Sequence, residues 1–381
     1  MKKIILALMI LLIITGIYYF ESQKVVIPST AEKQIEKPAA QNDSTLETKK
    51  SSIQKILTKS FKGNTYTLSP ELTGIVGYLN TENNTKIKDF RGKVVLIDFW
   101  TYSCINCIRT FPYLKSWHQK YKDQGLVIIG VHTPEFGFEE KFENVKMAME
   151  KYGINYRVVQ DNNYATWKVF KNRFWPRKYL IDAEGYIRFN HIGEGAYVET
   201  EKKIQELLAE IKGNVTNIDL TKPLAQKKFL MITPELYAGY EFMLPRGQEI
   251  GNLGGLVSQK KHQYILPKKI DADTIYLSGQ WLSNYDNLAA KGKGAIVLKY
   301  MANSVNIVAD NLSSQIQMEV YLNGDYISPQ MAGEDVRFNK SRAFVQINEP
   351  RLYNIVKGGY GRNELKLTTK GGFSFNAFTF G

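Results

Sequence analysis

The chain has 381 residues, more than one typical domain, and its length indicates two domains with additional segments. The hydrophobic fraction of 44% is globular, and the two cysteines exclude a structural disulfide framework. The formal charge of +13 comes from lysines scattered along the chain, so we expect some attraction to anionic membranes and no nucleic-acid binding.

The amino-terminal residues 1–20 predict a transmembrane anchor or signal segment. Lys2 and Lys3 precede an apolar run over residues 4–20, and neither a small-residue cleavage site nor a lipobox cysteine follows it. An uncleaved anchor is favoured, and cleavage is the alternative. The lysines keep the amino terminus inside, which predicts a single-pass protein of the cytoplasmic (inner) membrane with its soluble part in the periplasm or at the cell exterior.

Composition divides the rest of the chain into four segments. Residues 21–62 are rich in Lys, Glu, Gln, Ser and Thr and predict a flexible tether. A first domain is expected over residues 63–213, a linker over 214–230 and a second domain over 231–381.

The most informative stretch is a buried strand followed by a turn and a helix. Residues 94–99 form an apolar, β-branched run that is interrupted only by Asp98, which predicts a strand in the middle of a sheet. Turn residues 101–104 follow, and apolar residues then recur at helical spacing. Cys104 therefore lies in the first turn of a helix, and Cys107 lies one turn later.

This placement has chemical consequences for the two cysteines. The helix dipole and its unpaired N–H groups favour a thiolate at Cys104, and Cys107 projects from the same face and can close a disulfide with it. Burial of Asp98 in an apolar strand predicts a raised pKa, and we interpret it as the proton acceptor for Cys107. A surface aspartate at a strand end is the alternative.

Other elements of the first domain follow from the same patterns. We expect an amino-terminal hairpin of strands 75–79 and 85–87, a second central strand over 126–132, and a hairpin of strands 179–181 and 186–191. Helices are expected over 141–152, 163–170 and 201–211, with a short strand over 156–159. Two strands joined by a helix predict a parallel crossover, hence an α/β domain.

The string F-W-T-Y-S-C-I-N-C-I-R-T-F-P, with G-V-H-T-P-E-F downstream, resembles the thioredoxin superfamily, and within it the DipZ-type and TlpA-like membrane-anchored thiol-disulfide oxidoreductases. The resemblance implies that Cys104 is the nucleophile, Cys107 the resolving cysteine and Asp98 the buried acid. It also implies that Pro112 kinks the active-site helix. In F-W-P-R-K-Y-L-I-D, Pro176 matches the proline that is preceded by a cis peptide bond and faces the disulfide.

Residues next to these positions are candidates for contact with a client protein. Tyr102 and Trp175 are predicted to form an apolar rim that binds the client, and Ile105 and Asn106 lie between the cysteines. The resemblance also implies an acidic residue near the disulfide, but the sequence leaves the choice open. The three acidic candidates are Glu135, Glu139 and Glu140.

Histidines are weaker candidates, and we expect neither a metal nor a cofactor. His132 ends a strand and is interpreted as structural. His118 lies about 16 Å along the helix from Cys107 at 1.5 Å per residue, too far to share a metal with the cysteines. A zinc site needs about four ligands within reach, and this chain has two clustered cysteines and four dispersed histidines.

The sequence of the second domain contains a series of short strand signals, which predicts an all-β sandwich or jelly roll. Its ending, E-P-R-L-Y-N-I-V and F-S-F-N-A-F-T-F-G, resembles the carboxy-terminal domain of DipZ-like proteins, which is similar to carbohydrate-binding jelly rolls. Docking of this second domain to the first domain or to a client protein is favoured over glycan binding. Eight strands are predicted, over 274–281, 294–300, 304–309, 315–322, 343–347, 351–356, 364–368 and 372–380. The candidate glycan-stacking residues are Trp281, Tyr285, Tyr326, Tyr353 and Tyr360.

Together these features predict an extracytoplasmic, membrane-tethered thiol-disulfide oxidoreductase that acts on client proteins. By resemblance it is a reductant, as in cytochrome c maturation, and a separate membrane protein would deliver its electrons. A disulfide oxidase or isomerase is the alternative direction. A cell-wall glycan-binding or protein-binding module with a secondary redox domain is the alternative from another class.

Overall fold

The computed structural model describes residues 65–213, 218–222, 231–313 and 316–381, which all belong to one compact unit, Thr58–Gly381. The predicted anchor over 1–20 and tether over 21–62 lie outside these described residues. Within the described ranges, none of the helices is both long enough and apolar enough for a membrane span.

The first domain is built on a mixed six-stranded sheet with the order β1-β4-β3-β2-β5-β6. β2 lies in the middle, parallel to β3 and antiparallel to β5, which confirms the prediction of a central strand and a parallel crossover. The strands are β1 (Gly77–Leu79), β2 (Val94–Trp100), β3 (Leu126–His132), β4 (Arg157–Gln160), β5 (Arg177–Ile181) and β6 (Ile187–Ile192).

Helices cover both faces of this sheet. The helices are α1 (Ile105–Tyr121), α2 (Phe142–Tyr152), α3 (Ala165–Val169), α4 (Tyr197–Lys212) and, in the second domain, α5 (Tyr240–Met243). Short 3₁₀ turns are found at Ile87–Phe90, Lys122–Gln124, Gly137–Glu140 and Leu244–Arg246. The helix predicted over 201–211 is longer than expected and ends at Lys212, where Gly213 caps it with a φ of +81°.

The alternation of β2 determines which way its side chains face. Leu96 and Trp100 belong to the same apolar cluster as Cys107, whereas Ile97 and Phe99 belong to the cluster on the opposite face. Since side chains alternate along a strand, Asp98 faces the side of the sheet that carries Cys107. All seven residues of β2 are buried.

The predicted amino-terminal hairpin is wrong. The chain forms a 3₁₀ turn at Ile87–Phe90 instead of a strand, and β1 pairs with β4. Carboxylates explain the difference: Asp89 accepts the N–H of Lys86 at 2.8 Å, and Glu71 accepts the N–H groups of Ile87 and Lys88. These backbone donors are therefore not available to a sheet. The hairpin predicted over 179–181 and 186–191, with the turn D-A-E-G (residues 182–185) between its strands, is confirmed as β5 and β6.

The second domain contains a ten-stranded antiparallel sheet. Its central path runs β13-β14-β11-β15-β10-β16-β7, β12 pairs with β11, and β8 and β9 extend from β10. The strands are β7 (Leu236–Tyr237), β8 (Lys261–Tyr264), β9 (Ile275–Ser283), β10 (Leu288–Asn311), β11 (Ile316–Leu322), β12 (Asp325–Tyr326), β13 (Val336–Asn339), β14 (Arg342–Ile347), β15 (Arg351–Thr369) and β16 (Phe373–Phe380).

Two long strands replace four predicted short ones. Predicted segments 294–300 and 304–309 both lie in β10, and segments 351–356 and 364–368 both lie in β15. The register between these strands shifts at Ala302/Ser304 and again at Val305/Asn306. Irregularities of this kind let a strand bend while most of its pairing continues. The alternation of apolar and polar residues is therefore interrupted at these positions, although the strand continues through them.

The two domains pack against each other. Val308, Leu352 and Ala377 of the second domain belong to the apolar cluster that contains Phe111 and Phe136 of the first. Part of the predicted linker also lies on the first domain, because the N–H of Thr221 donates to Glu201 at 2.7 Å. Docking of the second domain on the first domain, favoured from the sequence, is present in the structure.

Candidate functional site

Cys104 stands at the start of helix α1. It is the N-cap residue of α1, and its Sγ accepts the backbone N–H of Cys107 at 3.2 Å. Cys104 is partly exposed and Cys107 is buried, and both are free thiols. A sulfur at this position meets the positive end of the helix dipole and one of the N–H groups of the first turn. The geometry therefore separates an accessible sulfur from a hidden one.

Cys107 cannot ionise easily in this environment. Burial raises the pKa of the Cys107 thiol well above its usual value, and the hydrogen bond and charge of Cys104 raise it further. A negative charge on Asp98 also raises it. To become a nucleophile, Cys107 needs a group that takes its proton.

Asp98 is a suitable group for that proton. It is 1% exposed, and burial raises its pKa to about 7 while the charge of Lys178 lowers it. Neither carboxyl oxygen has a hydrogen-bond partner among the described residues, and Lys178 Nζ lies 3.9 Å from Oδ1. A carboxyl with a pKa near neutrality and unused lone pairs can both accept and return a proton.

Lys178 is a functional candidate that the sequence reasoning missed. It is 1% exposed in β5, directly opposite Asp98 in the antiparallel register, and burial lowers its pKa. The sequence signal was weak, since Lys178 directly follows Arg177 at the start of β5 and precedes the run Tyr179, Leu180 and Ile181. Two buried groups of opposite charge on neighbouring strands reduce each other's desolvation cost.

Pro176 follows a cis peptide bond, Trp175–Pro176, as the resemblance implies. The indole N–H of Trp175 donates to the carbonyl of Thr133 at 3.1 Å, and its ring packs on Trp167 with centroids 4.3 Å apart. Trp175 nevertheless keeps part of its surface exposed, and neighbouring Phe174 is 47% exposed. These two aromatic residues form an apolar surface that a client could contact.

The prediction that Tyr102 belongs to a client-binding rim is wrong. Tyr102 is 2% exposed, its ring stacks on His132 at 5.7 Å, and it also packs against Phe138. His132 itself is buried, and burial lowers its pKa to about 3, so it is a neutral part of the core. The sequence could not show that the β3 terminus and the following loop cover the tyrosine.

Ile105 and Asn106, between the cysteines, are both partly exposed. Asn106 Oδ1 accepts a hydrogen bond from Arg109 at 3.3 Å. Arg109 also reaches Glu194 at 3.5 Å and the carbonyl of Phe380, in the second domain, at 3.4 Å. One guanidinium thus joins the first turn of α1 to Glu194 of the first domain and to Phe380 of the second.

Of the three acidic candidates, Glu139 lies beside residues 101–104, the turn that ends at Cys104 and is called the active-site turn below. Its carboxylate accepts the hydroxyl of Ser103 at 2.7 Å and the N–H of Ser103 at 3.2 Å. It also accepts the N–H groups of Glu135 at 2.6 Å and Phe136 at 3.0 Å. Burial raises the pKa of Glu139, and these hydrogen bonds oppose the rise. Glu140 is exposed.

Metal-binding clusters of three or more His, Cys, Asp or Glu side chains are not found in the part of the chain that the structure describes.

Of the glycan candidates, Trp281 and Tyr353 are 0% exposed, so the prediction that they stack on a sugar is wrong. Both rings belong to the core of the second domain. Tyr285 and Tyr360 are 60% and 40% exposed, and Tyr326 is partly exposed.

Two family models match the chain. A Redoxin model matches residues 60–208, and a model described as "Thioredoxin like C-terminal domain" matches residues 233–381. The two matches follow the two domains seen in the structure.

Curated relatives are similar to one or both domains. Protein DipZ of Mycobacterium bovis and of Mycobacterium tuberculosis is 42% identical over 251 residues, which is 63% of this chain and 34% of DipZ. The chain thus spans about a third of the length of these relatives. Thiol-disulfide oxidoreductase YkuV of Bacillus subtilis is 30% identical over 141 residues, covering 37% of this chain and 94% of YkuV. NHL repeat-containing protein 2 of Bos taurus is 35% identical over 163 residues, 41% of this chain and 22% of the relative.

Proposed function

Because this chain belongs to the thioredoxin superfamily, as a DipZ-like thiol-disulfide oxidoreductase, we propose that Cys104 and Cys107 are its redox pair and exchange two electrons with disulfides of client proteins. One observation carries the proposal. The accessible Cys104 sulfur caps α1 and accepts the N–H of Cys107, while the Cys107 thiol lies buried beside it. This arrangement gives one sulfur for attack and one for resolution.

The first step is attack on the client. The Cys104 thiolate attacks one sulfur of the client disulfide, a Cys104–client mixed disulfide forms, and the other client sulfur leaves as a thiolate that takes a proton from solvent. The helix dipole and the N–H of Cys107 stabilise the attacking thiolate before the reaction.

The second step releases the client. Cys107 gives its proton to the Asp98 carboxylate and attacks Cys104 Sγ, which forms the Cys104–Cys107 disulfide and expels the second client thiolate. The client is reduced by two electrons, and the cysteine pair is oxidised. Asp98 can accept this proton near neutrality because burial raises its pKa to about 7, and the Lys178 charge limits that rise.

Clients bind, in this proposal, along the surface next to Cys104. Trp175 and Phe174 supply an exposed apolar face, and Ile105 and Asn106 lie partly exposed between the two sulfurs. An extended client segment could place its disulfide over Cys104 while its neighbouring side chains contact the aromatic surface.

The direction and place of the reaction are further parts of the proposal. The resemblance to TlpA-like proteins favours a reductant acting outside the cytoplasm, as in cytochrome c maturation, anchored to the membrane by the amino-terminal segment. A thiol donor must then reduce the Cys104–Cys107 disulfide, and we assign that role to a separate membrane protein. Disulfide oxidation or isomerisation is the alternative.

Two cysteine variants test the proposal. Cys104→Ser is expected to abolish insulin-disulfide reduction and to form no mixed disulfide, whereas Cys107→Ser is expected to attack once and accumulate the mixed disulfide, visible by mass spectrometry. Reduction of insulin by Cys104→Ser at the wild-type rate would refute the assignment.

The reduction potential of the cysteine pair tests the direction of the reaction. A value near that of thioredoxin, about −270 mV, would favour a reductant, and a value near about −120 mV would favour an oxidant.

A further inference from the structure

A loop next to the active-site turn is held by both domains. This loop, residues 134–140, is called the acidic loop here because it contains Glu135, Glu139 and Glu140. On the side of the first domain, Glu139 accepts both the N–H and the hydroxyl of Ser103, the residue directly before Cys104. The position of the nucleophile is therefore tied to the position of the loop.

The second domain holds the other side of the acidic loop. The Tyr237 hydroxyl lies 3.0 Å from Glu135 Oε1, and Asp286 accepts the N–H of Gly137 at 3.1 Å. The ring of Phe136 stacks on Phe242 with centroids 5.4 Å apart. Three contacts of different kinds thus join seven consecutive residues to the second domain.

Tyr237 has further charged neighbours besides Glu135. Its hydroxyl also lies 2.9 Å from Glu235 Oε2, and Arg246 lies over its ring at 4.1 Å and 3.9 Å from Glu135. One phenol proton cannot be donated to two carboxylates, so one of the two carboxyls must carry a proton for both contacts to be hydrogen bonds. Burial, with the charges of Glu235 and Glu139, raises the pKa of Glu135 to about 8, which makes it the protonated partner at neutral pH.

Glu135 and Glu139 are connected within the loop. The N–H groups of Glu135 and Phe136 donate to the Glu139 carboxylate at 2.6 and 3.0 Å, so displacement of Glu135 also displaces the donors that orient Glu139. An active-site residue works only when its supporting contacts hold it within about 0.5 Å of the productive position.

We propose that Tyr237 of the second domain is a positioning residue for Cys104, which acts through Glu135, the acidic loop and the hydrogen bonds of Glu139 to Ser103. This inference rests on the proposed function of the cysteine pair. It gives the second domain a role in the thiol-disulfide reaction: the active-site turn of the first domain is held in place only when the second domain is docked.

The variant Tyr237→Phe removes the hydroxyl and keeps the ring under Arg246. We expect it to fold, with kcat/KM for insulin reduction lowered about three- to tenfold, the range that one hydrogen bond supplies. A looser turn stabilises the Cys104 thiolate less, so the reduction potential should become more negative by about 10 to 30 mV, equivalent to a two- to tenfold change in the equilibrium constant.

The chain offers a matched control. Tyr321 donates its hydroxyl to Glu319 at 2.9 Å, and Glu319 pairs with Arg342, so the same three side-chain types meet in β11 and β14 of the same domain. Three strands, β15, β10 and β16, separate this cluster from β7 in the sheet order. Tyr321→Phe is expected to leave both kcat/KM and the potential unchanged.

Variants of Glu135 test whether the effect passes through this contact. Glu135→Gln keeps a side-chain donor for the Tyr237 hydroxyl and should retain activity, whereas Glu135→Ala should lose as much as Tyr237→Phe. The double variant Tyr237→Phe with Glu135→Ala should lose no more than either single variant. Additive losses would overturn the inference. If Tyr237→Phe fails to fold, the contrast between Glu135→Gln and Glu135→Ala still decides it.

The proposed function and this inference fail in different ways. Activity that survives Cys104→Ser would refute the redox pair itself. Wild-type kcat/KM and potential in Tyr237→Phe, together with complete loss in Cys104→Ser, would leave the redox pair intact and show that the second domain does not position it.

Discussion

Two buried carboxyl groups flank the active-site turn, and they differ in their hydrogen bonds. Asp98, in β2, has no hydrogen-bond partner for either oxygen among the described residues and has Lys178 at 3.9 Å. Glu139, in the acidic loop, accepts hydrogen bonds from Ser103 and from two loop N–H groups. The first is 1% exposed and the second 0%, so burial does not distinguish them.

The number of hydrogen-bond donors therefore separates a buried carboxyl that can exchange a proton from one that holds the backbone in place. A carboxylate without donors is poorly stabilised, so its pKa rises into the range where a proton is exchanged during a reaction. A carboxylate with four donors fixes the backbone around it, and its removal leaves those donors unsatisfied. We therefore expect Asp98 to control proton transfer and Glu139 to control geometry.

The largest effect is expected from Asp98→Asn. The amide cannot take the proton of Cys107, so resolution of the mixed disulfide should slow about 100-fold. In the wild type this rate should rise with pH through about 7, as Asp98 loses its proton, and the rise should disappear in the variant. Quenched-flow detection of the mixed disulfide measures both.

Asp161→Asn is the control for Asp98→Asn, because Asp161 is equally buried but accepts the N–H groups of Thr166 and Trp167. A wild-type resolution rate in Asp98→Asn would show that another group takes the proton.

The same substitution has a predictable effect on stability. The folded-state pKa of Asp98, about 7, exceeds its ordinary value of 3.8, so the folded protein binds this proton more tightly than the unfolded chain. Its contribution to the unfolding free energy is therefore most favourable below pH about 4 and is lost as pH rises to about 7. Asp98→Asn should be more stable than the wild type at pH 8, by about 1–4 kcal/mol, and lose this advantage at pH 4.

Glu139→Ala should have the next largest effect, on stability. It leaves the N–H and hydroxyl of Ser103 and two loop N–H groups without an acceptor in a buried place, which should lower the free energy of unfolding by about 3 kcal/mol in urea titrations. Glu139→Gln keeps one acceptor oxygen and should lose less than half of this. The comparison with Asp98 breaks down if Glu139→Ala removes the pH dependence of resolution while stability stays the same.

The smallest effect is expected from Lys178→Met, which keeps most of the side-chain volume and removes the charge. Since that charge lowers the pKa of Asp98, its loss should move the midpoint of the pH–rate profile above about 7 and slow resolution at pH 7 up to about tenfold. The exposed Lys146 gives the control variant Lys146→Met, with no expected shift. A midpoint that stays in place would mean that Lys178 does not act on Asp98.

Local patterns were sufficient for much of the fold and for the centre of the site. The apolar run of β2, the helical spacing after Cys104 and the D-A-E-G turn each depend on residues close in sequence, and each predicted element is present. The burial of Asp98 could also be predicted, because a strand in the middle of a sheet buries both of its faces.

Errors arose where distant segments compete for the same groups. The strand predicted around Ile87 is replaced by a 3₁₀ turn because Glu71 and Asp89 take its N–H groups. Tyr102 stands next to the cysteines in sequence but is covered by His132 and Phe138. The cover over Tyr102 and the contact of Glu71, 16 residues before Ile87, do not follow from the local pattern, whereas Asp89 lies only three residues after Lys86 and was overlooked.

The sequence by itself determined which atoms can do the chemistry: two sulfurs one helical turn apart and a carboxyl in an apolar strand, because spacing and hydrophobicity are local properties. Only the tertiary structure decided what surrounds them. Lys178 faces Asp98 through the register of β2 and β5, and Tyr237 meets Glu135 from a position 102 residues away because the second domain docks beside the active-site turn. Contacts of this kind depend on how separate elements pack, which periodicity in the sequence does not specify.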